Sequence, residues 1–170
     1  MSKQKILLGL ILCFLLSGCG FTLRPVTAIP PQLQHVYFSS DNPYGAFEVF
    51  FKKTLRASGV TFGDSQINSY TLHLTSSFSY TTTSPATSVQ ARVYALTYSA
   101  SIIILNRQNK LKFSAQNITV NRNISLAPNE IFEISLQTEN AKQEMQRELT
   151  TKIINILSSK NVAASLEKTP

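Results

Sequence analysis

The chain has 170 residues, sixteen of them Lys or Arg and nine Asp or Glu, giving a formal charge of +7, with two cysteines and no tryptophan. That length suits one domain with a proper core and leaves little room for a second. Two cysteines are too few for a disulfide framework, and no glycine-rich phosphate loop occurs.

In chain order, Lys3 and Lys5 form a short positive segment, Ile6 to Leu16 is an apolar run, and Leu16-Ser17-Gly18-Cys19 follows. Charge, apolar core and small residues at a cut site is the order of a secretory signal, predicted over residues 1–18. The apolar run has about half of the roughly 20 residues needed to span a bilayer. Leu-Ser-Gly-Cys resembles the bacterial lipobox, so Cys19 is the expected lipidation site, carrying S-diacylglycerol and an N-acyl chain. No other cofactor is expected. Gly20 in place of Asp, by resemblance to lipoprotein sorting rules, favours the outer membrane. Each buried CH₂ contributes about 0.8 kcal/mol, so several acyl chains would anchor the protein permanently. Cys13 lies in the discarded segment. Cleavage would leave 152 residues and a charge of about +5. Export makes nucleic acid an unsuitable partner for that charge.

Residues 19–32 contain Pro25, Pro30 and Pro31 and read as a lipidated, extended tether. One domain is expected over 33–160. His35 to Ser39 is a short strand. Asp41-Asn42-Pro43 reads as a helix start, with a capping side chain and proline in the first turn. Phe47, Phe50, Phe51, Leu55 and Ser58 fall on one face of that helix, and Gly59 suits its C-terminal cap.

From Tyr70 to Tyr80, apolar residues alternate with Thr and Ser, which predicts a long strand with one buried face. Thr81 to Ser88 is an uncharged loop. Val89 to Leu105 is a second long strand, and Asn106-Arg107-Gln108-Asn109 is a turn. In the third long strand Leu111, Phe113 and Ala115 are odd, whereas Ile118 and Val120 are even. One extra residue near Gln116-Asn117 restores the face, so a β-bulge is predicted there. Pro128 to Ser158 has a helical apolar period, including Met145, Leu149 and Ile153. Residues 161–170 read as a polar, flexible tail.

The order predicts an α+β two-layer sandwich: a four-stranded, mostly antiparallel sheet with two helices packed on one face. The other face, rich in Ser and Thr, is left for solvent or a partner. His35 and His73 lie in strands without an acid or thiol at a catalytic spacing. Five carboxylates between Glu130 and Glu148 suit the solvated side of the last helix. No catalytic constellation emerges, and no enzyme activity or metal site is expected.

Cys19-Gly20-Phe21-Thr22-Leu23-Arg24, then Ser40-Asp41-Asn42-Pro43-Tyr44-Gly45, and the helix running to Ser58-Gly59-Val60 resemble the LPS-assembly lipoprotein family LptE. The resemblance implies a lipid-anchored outer-membrane protein that plugs the LptD β-barrel, expected at 1:1, helps it assemble, and takes part in lipopolysaccharide insertion. Arg92, Lys110 and Lys112, at or near strand ends, are the expected lipopolysaccharide contacts. The uncharged Thr81 to Ser88 loop leaves Arg92 as the nearest substitute for any contact made there in relatives. A pilotin or scaffold would keep the anchor without a barrel. An amphiphile carrier would enclose a cavity lined by Phe47, Phe50, Tyr94 and Tyr98.

Overall fold

The computed structural model describes residues 29–65, 67–83, 92–126 and 131–167. The signal segment, Cys19 and most of the Thr81 to Ser88 loop lie outside these residues. Ile29 and Leu33 are both buried, and Leu33 belongs to a 3-10 turn, Pro31–Leu33. Core packing therefore starts at Ile29, inside the stretch read as tether, whose prolines masked that apolar anchor.

Five strands make one sheet in the order β2-β1-β3-β4-β5. They are β1 (His35–Ser40), β2 (Thr61–Phe62), β3 (Tyr70–Thr82), β4 (Arg92–Asn106) and β5 (Leu111–Leu126). β1 runs parallel to both β2 and β3, whereas β3-β4-β5 is an antiparallel meander. The four-stranded expectation is corrected by β2, which is two residues long and too short for alternation to reveal. There are also three helices rather than two: α1 (Ala46–Ala57), α2 (Ile131–Leu157) and α3 (Lys160–Glu167).

The start of α1 also differs. Asn42 O accepts the Gly45 N–H at 2.9 Å, closing a turn, and Gly45 becomes the N-cap without a side-chain cap. Asp41 is used elsewhere: it accepts from Thr75 Oγ1 at 2.7 Å and lies 3.3 Å from His73 Nε2. The end of α1 is as predicted. Val60 N–H reaches Leu55 O and Gly59 N–H reaches Arg56 O, both at 3.0 Å, with Gly59 at φ +89°. Gly59→Ala is expected to cost about 1–2 kcal/mol through backbone strain alone, since no atom lies within 4 Å of an added Cβ. A urea midpoint unchanged by the substitution would contradict this.

The predicted bulge is present. Ala100 pairs with Ile118 and Ile102 with Ala115, leaving Ser101 opposite both Gln116 and Asn117, the latter at φ +57°. A second irregularity at Lys112 lets the tight Asn106–Lys110 turn close. There Asn106 Oδ1 accepts the Gln108 and Lys110 N–H groups, at 3.0 and 2.8 Å.

The core lies between the helices and one face of the sheet. Phe47, Phe51 and Leu55 of α1 and Met145, Leu149, Ile153 and Leu157 of α2 meet Leu72, Leu74, Leu96, Ile102 and Ile104. Val162 and Leu166 of α3 are as buried as these. The stretch read as a flexible tail is thus a docked helix as far as Glu167. Its two anchors span a single turn, too little for periodicity to stand out.

Candidate functional site

The even-numbered residues of β4 (Tyr94, Leu96, Tyr98, Ala100, Ile102, Ile104) are buried under the helices. Their odd neighbours Ala95, Thr97, Ser99 and Ser101 point the other way and are half-buried, as expected on the uncovered face of a central strand. On this face side chains bond across the strands. Ser77 Oγ and Ser99 Oγ share a hydrogen bond of 2.8 Å, and Thr97 Oγ1 donates to Asn121 Oδ1 at 3.0 Å. Toward β1, His73 Nδ1 lies 3.2 Å from Ser39 Oγ, while its Nε2 faces Asp41. Small hydroxyl and amide groups thus pave the centre of the sheet. They surround a shallow depression of about 100 Å³ reaching from Thr75 to Asn117 at the bulge. Such a surface offers donors and acceptors to a polar partner and gives little reason for an apolar one to bind.

The covered face holds a small polar cluster. Glu48, in the first turn of α1, is buried and accepts from Ser76 Oγ at 2.6 Å. A carboxylate suits that position because the helix N-terminus carries partial positive charge. Nearby, Gln146 Nε2 donates to Tyr98 Oη at 3.3 Å. Burial pushes the Tyr98 hydroxyl above its usual pKa near 10; the Gln146 and Ser76 hydrogen bonds oppose this, and the Glu48 charge adds to it. An unfolded tyrosine ionises first, so the folded state loses stability as pH rises past about 10. Tyr98→Phe is expected to flatten this alkaline limb. At neutral pH it should cost about 1–3 kcal/mol, by leaving the buried Gln146 amide unpaired. Thermal melts from pH 7 to 11 check both effects.

Two of the four rings expected to line an amphiphile cavity, Phe47 and Tyr98, pack against each other instead. Phe47 stands 5.2 Å from Tyr98 and 6.0 Å from Phe51 between ring centroids, and Phe78 lies 5.4 Å from Tyr98. This packed interlayer counts against a carrier.

The three basic residues expected to act together do not meet. Arg92 opens β4, opposite Leu126, whereas Lys110 lies just past its far end at Asn106 and Lys112 sits in β5 beside Ile104 and Leu105. At roughly 3.3 Å per residue, β4 separates the two ends by about 46 Å. Lys110 and Lys112 instead share a recess of about 470 Å³ with Arg107, Ser69, Tyr70, Asn106 and Gln108. Arg107 reads in the sequence only as a turn residue; the turn that Asn106 N–H closes on Lys110 O brings it to the same recess as Lys110. Other basic side chains are engaged: Arg122 and Lys152 both pair with Glu148, at 3.1 and 3.2 Å, and Lys52 lies 5.3 Å over the Phe38 ring. His35 bonds to Thr61 Oγ1, consistent with a pairing role. Among the described residues there is no group of three His, Cys, Asp or Glu placed to hold a metal, and no helix long and apolar enough to cross a membrane.

Comparison with known proteins places this architecture. A family model described as lipopolysaccharide-assembly, LptE, matches residues 33–157, well over half of the chain. The chain belongs to the LptE family. The LPS-assembly lipoprotein LptE of Yersinia enterocolitica is 42% identical over 59 residues, covering 35% of this chain and 28% of that protein. Its counterpart in Yersinia pestis (strain Pestoides F) is 39% identical over the same length and coverage. The matched segment is therefore little more than a quarter of these relatives' length.

Among solved structures, the solution structure of lipoprotein B from Nitrosomonas europaea aligns with TM-score 0.68 at 17% identity, over 87% of this chain and 96% of that one. Rare lipoprotein B from Shewanella oneidensis aligns with TM-score 0.62, also at 17% identity, over 76% and 98%. At such identity these likenesses speak for the fold. This LptE-family chain thus has the α+β fold of those lipoproteins, and its matched region runs from the buried Leu33 to the last residue of α2.

Proposed function

We propose that this chain is a non-catalytic outer-membrane lipoprotein, acylated at Cys19 and held on the periplasmic side. In this reading it fills the lumen of the LptD β-barrel at one copy per barrel, helps the barrel assemble, and takes part in inserting lipopolysaccharide into the outer leaflet.

The observation that carries this reading is the uncovered, hydroxyl- and amide-lined face of the sheet. The interior of a large outer-membrane barrel is polar, whereas its lipid-facing surface is apolar. A plug must satisfy the groups on the lumen wall, and the Ser77–Ser99 and Thr97–Asn121 face is suited to that. The packed interlayer leaves no equivalent support for a carrier. In lipopolysaccharide insertion, Arg92 is the candidate phosphate contact, since a guanidinium makes charge-assisted, bidentate hydrogen bonds to phosphate. One headgroup cannot also reach Lys110 and Lys112, so the proposed contact narrows to Arg92 at that end.

The test is extraction of the protein from native outer membranes in mild detergent, with the co-purifying proteins quantified. One large β-barrel per lipoprotein is the expected result. Recovery of the lipoprotein alone, in detergent that preserves other outer-membrane complexes, would overturn the plug reading and leave a pilotin or scaffold. Intact mass of the purified chain reports acylation of Cys19 independently of the barrel.

A further inference from the structure

We propose that the end of the sheet where the chain enters the domain docks on the anionic phospholipid surface of the leaflet that holds the anchor. This rests on the reading of Cys19 as acylated, and it concerns the end opposite Arg92.

Three observations converge there. First, the recess beside the β4–β5 turn is lined by Arg107, Lys110 and Lys112, and no carboxylate is among its lining residues. Among the described residues no ion pair engages Arg107 or Lys110, in contrast to Arg122 and Lys152, which Glu148 neutralises. Second, apolar side chains flank this charge. Ile67 is 81% exposed and Leu111 61% exposed, Ile67 being the most exposed aliphatic side chain among the large hydrophobics of the described residues, while Leu136 and Val49 on the helices are also open. Ile67 lines a second open recess that shares Ser69 and Tyr70 with the basic one. Third, Pro31, Gln32 and His35 line that second recess, so the polypeptide enters the domain here. Ten residue steps lead from Cys19 to Ile29, about 35 Å at full extension.

The anchor therefore holds this end within about 35 Å of lipid headgroups. Basic groups beside exposed aliphatic ones are the composition that binds an anionic interface: the cations meet phosphates while the apolar side chains enter the headgroup boundary. Each Lys or Arg near such a surface contributes about five-fold in partition, equivalent to roughly 1 kcal/mol. Tethering makes the docking intramolecular, so modest intrinsic affinity suffices.

The test uses the acylated full-length protein reconstituted in vesicles. An environment-sensitive fluorophore is placed at Gln108→Cys in the turn, or at Thr82→Cys at the far end of β3, with headgroup spin-labelled lipid as quencher. The expected result is quenching at position 108 in phosphatidylcholine vesicles containing 30% phosphatidylglycerol, and little in phosphatidylcholine alone or at position 82. Arg107→Gln with Lys110→Gln should lower the docking equilibrium about 25-fold. Lys53→Gln with Arg147→Gln, an equal change of net charge on exposed helix positions, should leave it nearly unchanged. Equal quenching at both label positions, or equal losses from the two pairs, would overturn the proposal and point to a protein surface at this end. A mass without acyl chains would overturn the anchor reading alone. The Cys19→Ser chain carrying Gln108→Cys, added to the same vesicles, then reads the patch by itself.

Discussion

Ser99→Arg is expected to leave the domain folded and to remove the barrel from the detergent-extracted complex. Ser99 sits at the centre of β4, on the face that no helix covers, and shares a 2.8 Å hydrogen bond with Ser77. Losing that bond costs about 1 kcal/mol, and an outward arginine on an exposed strand is otherwise close to neutral. The melting temperature should therefore move by only a few degrees. Against a lumen wall the same arginine has nowhere to go. It adds bulk to a close contact and carries a charge whose desolvation, without a partner, costs several kcal/mol. A loss of about 3 kcal/mol lowers the association constant more than 100-fold. Quantifying barrel per lipoprotein after extraction, beside a thermal melt, separates the two effects. Stoichiometric barrel with Ser99→Arg would mean that this face is not the contact.

That surface was largely legible in the sequence, because alternation along β3 and β4 is long and its polar members are nearly all Ser or Thr. The phase change in β5 marks the bulge in the sequence itself, and Asn117 adopts the positive φ that such irregularities use. Other features gave no adequate local signal. β2 is two residues long and owes its place to pairing with His35 and Val36. Asp41 looked like a helix cap, but tertiary partners, His73 and Thr75, hold it. A capping side chain is available only when nothing distant competes for it. The grouping of Arg92 with Lys110 and Lys112 failed for a reason the sequence did contain. Arg92 opens a strand that ends at Asn106, and Lys110 and Lys112 follow the closing turn at once, so they lie at the opposite end of the sheet from Arg92.

Separation of charge along β4 also bears on how the two proposed surfaces can coexist. Arg92 and the Arg107–Lys110 turn are held apart by a strand whose inward side chains are among the most buried in the domain. Close packing makes such a strand resist bending, so the sheet acts as a spacer. One end can stay at the anchoring leaflet while the other is presented about 46 Å away. The hydroxyl stretch from Thr97 to Ser101, midway between them, is free to meet a barrel wall.

Ending the chain after Ser159 is expected to destabilise the domain by about 4 kcal/mol. A flexible polar tail could be removed without consequence, and that is what residues 161–170 suggest when only their composition is read. The docked helix α3 predicts otherwise. Val162 is fully buried and Leu166 nearly so, and each such side chain contributes about 1.5–3 kcal/mol when withdrawn from water. Truncation also removes the Leu166 carbonyl that accepts from Tyr70 Oη at 3.2 Å, and it uncovers part of the core that α3 protects. For a domain whose total stability is about 5–15 kcal/mol, the loss is a large fraction. Urea unfolding should show the midpoint displaced strongly downward. Leu166→Ala keeps the chain length and should reproduce about 3 kcal/mol of the effect, which assigns it to the apolar contact. A truncated chain with an unchanged midpoint would mean that α3 contributes no net stability. Because α3 packs beside Tyr70, at the end proposed to dock on the leaflet, the truncation should also loosen the recess that carries Arg107 and Lys110.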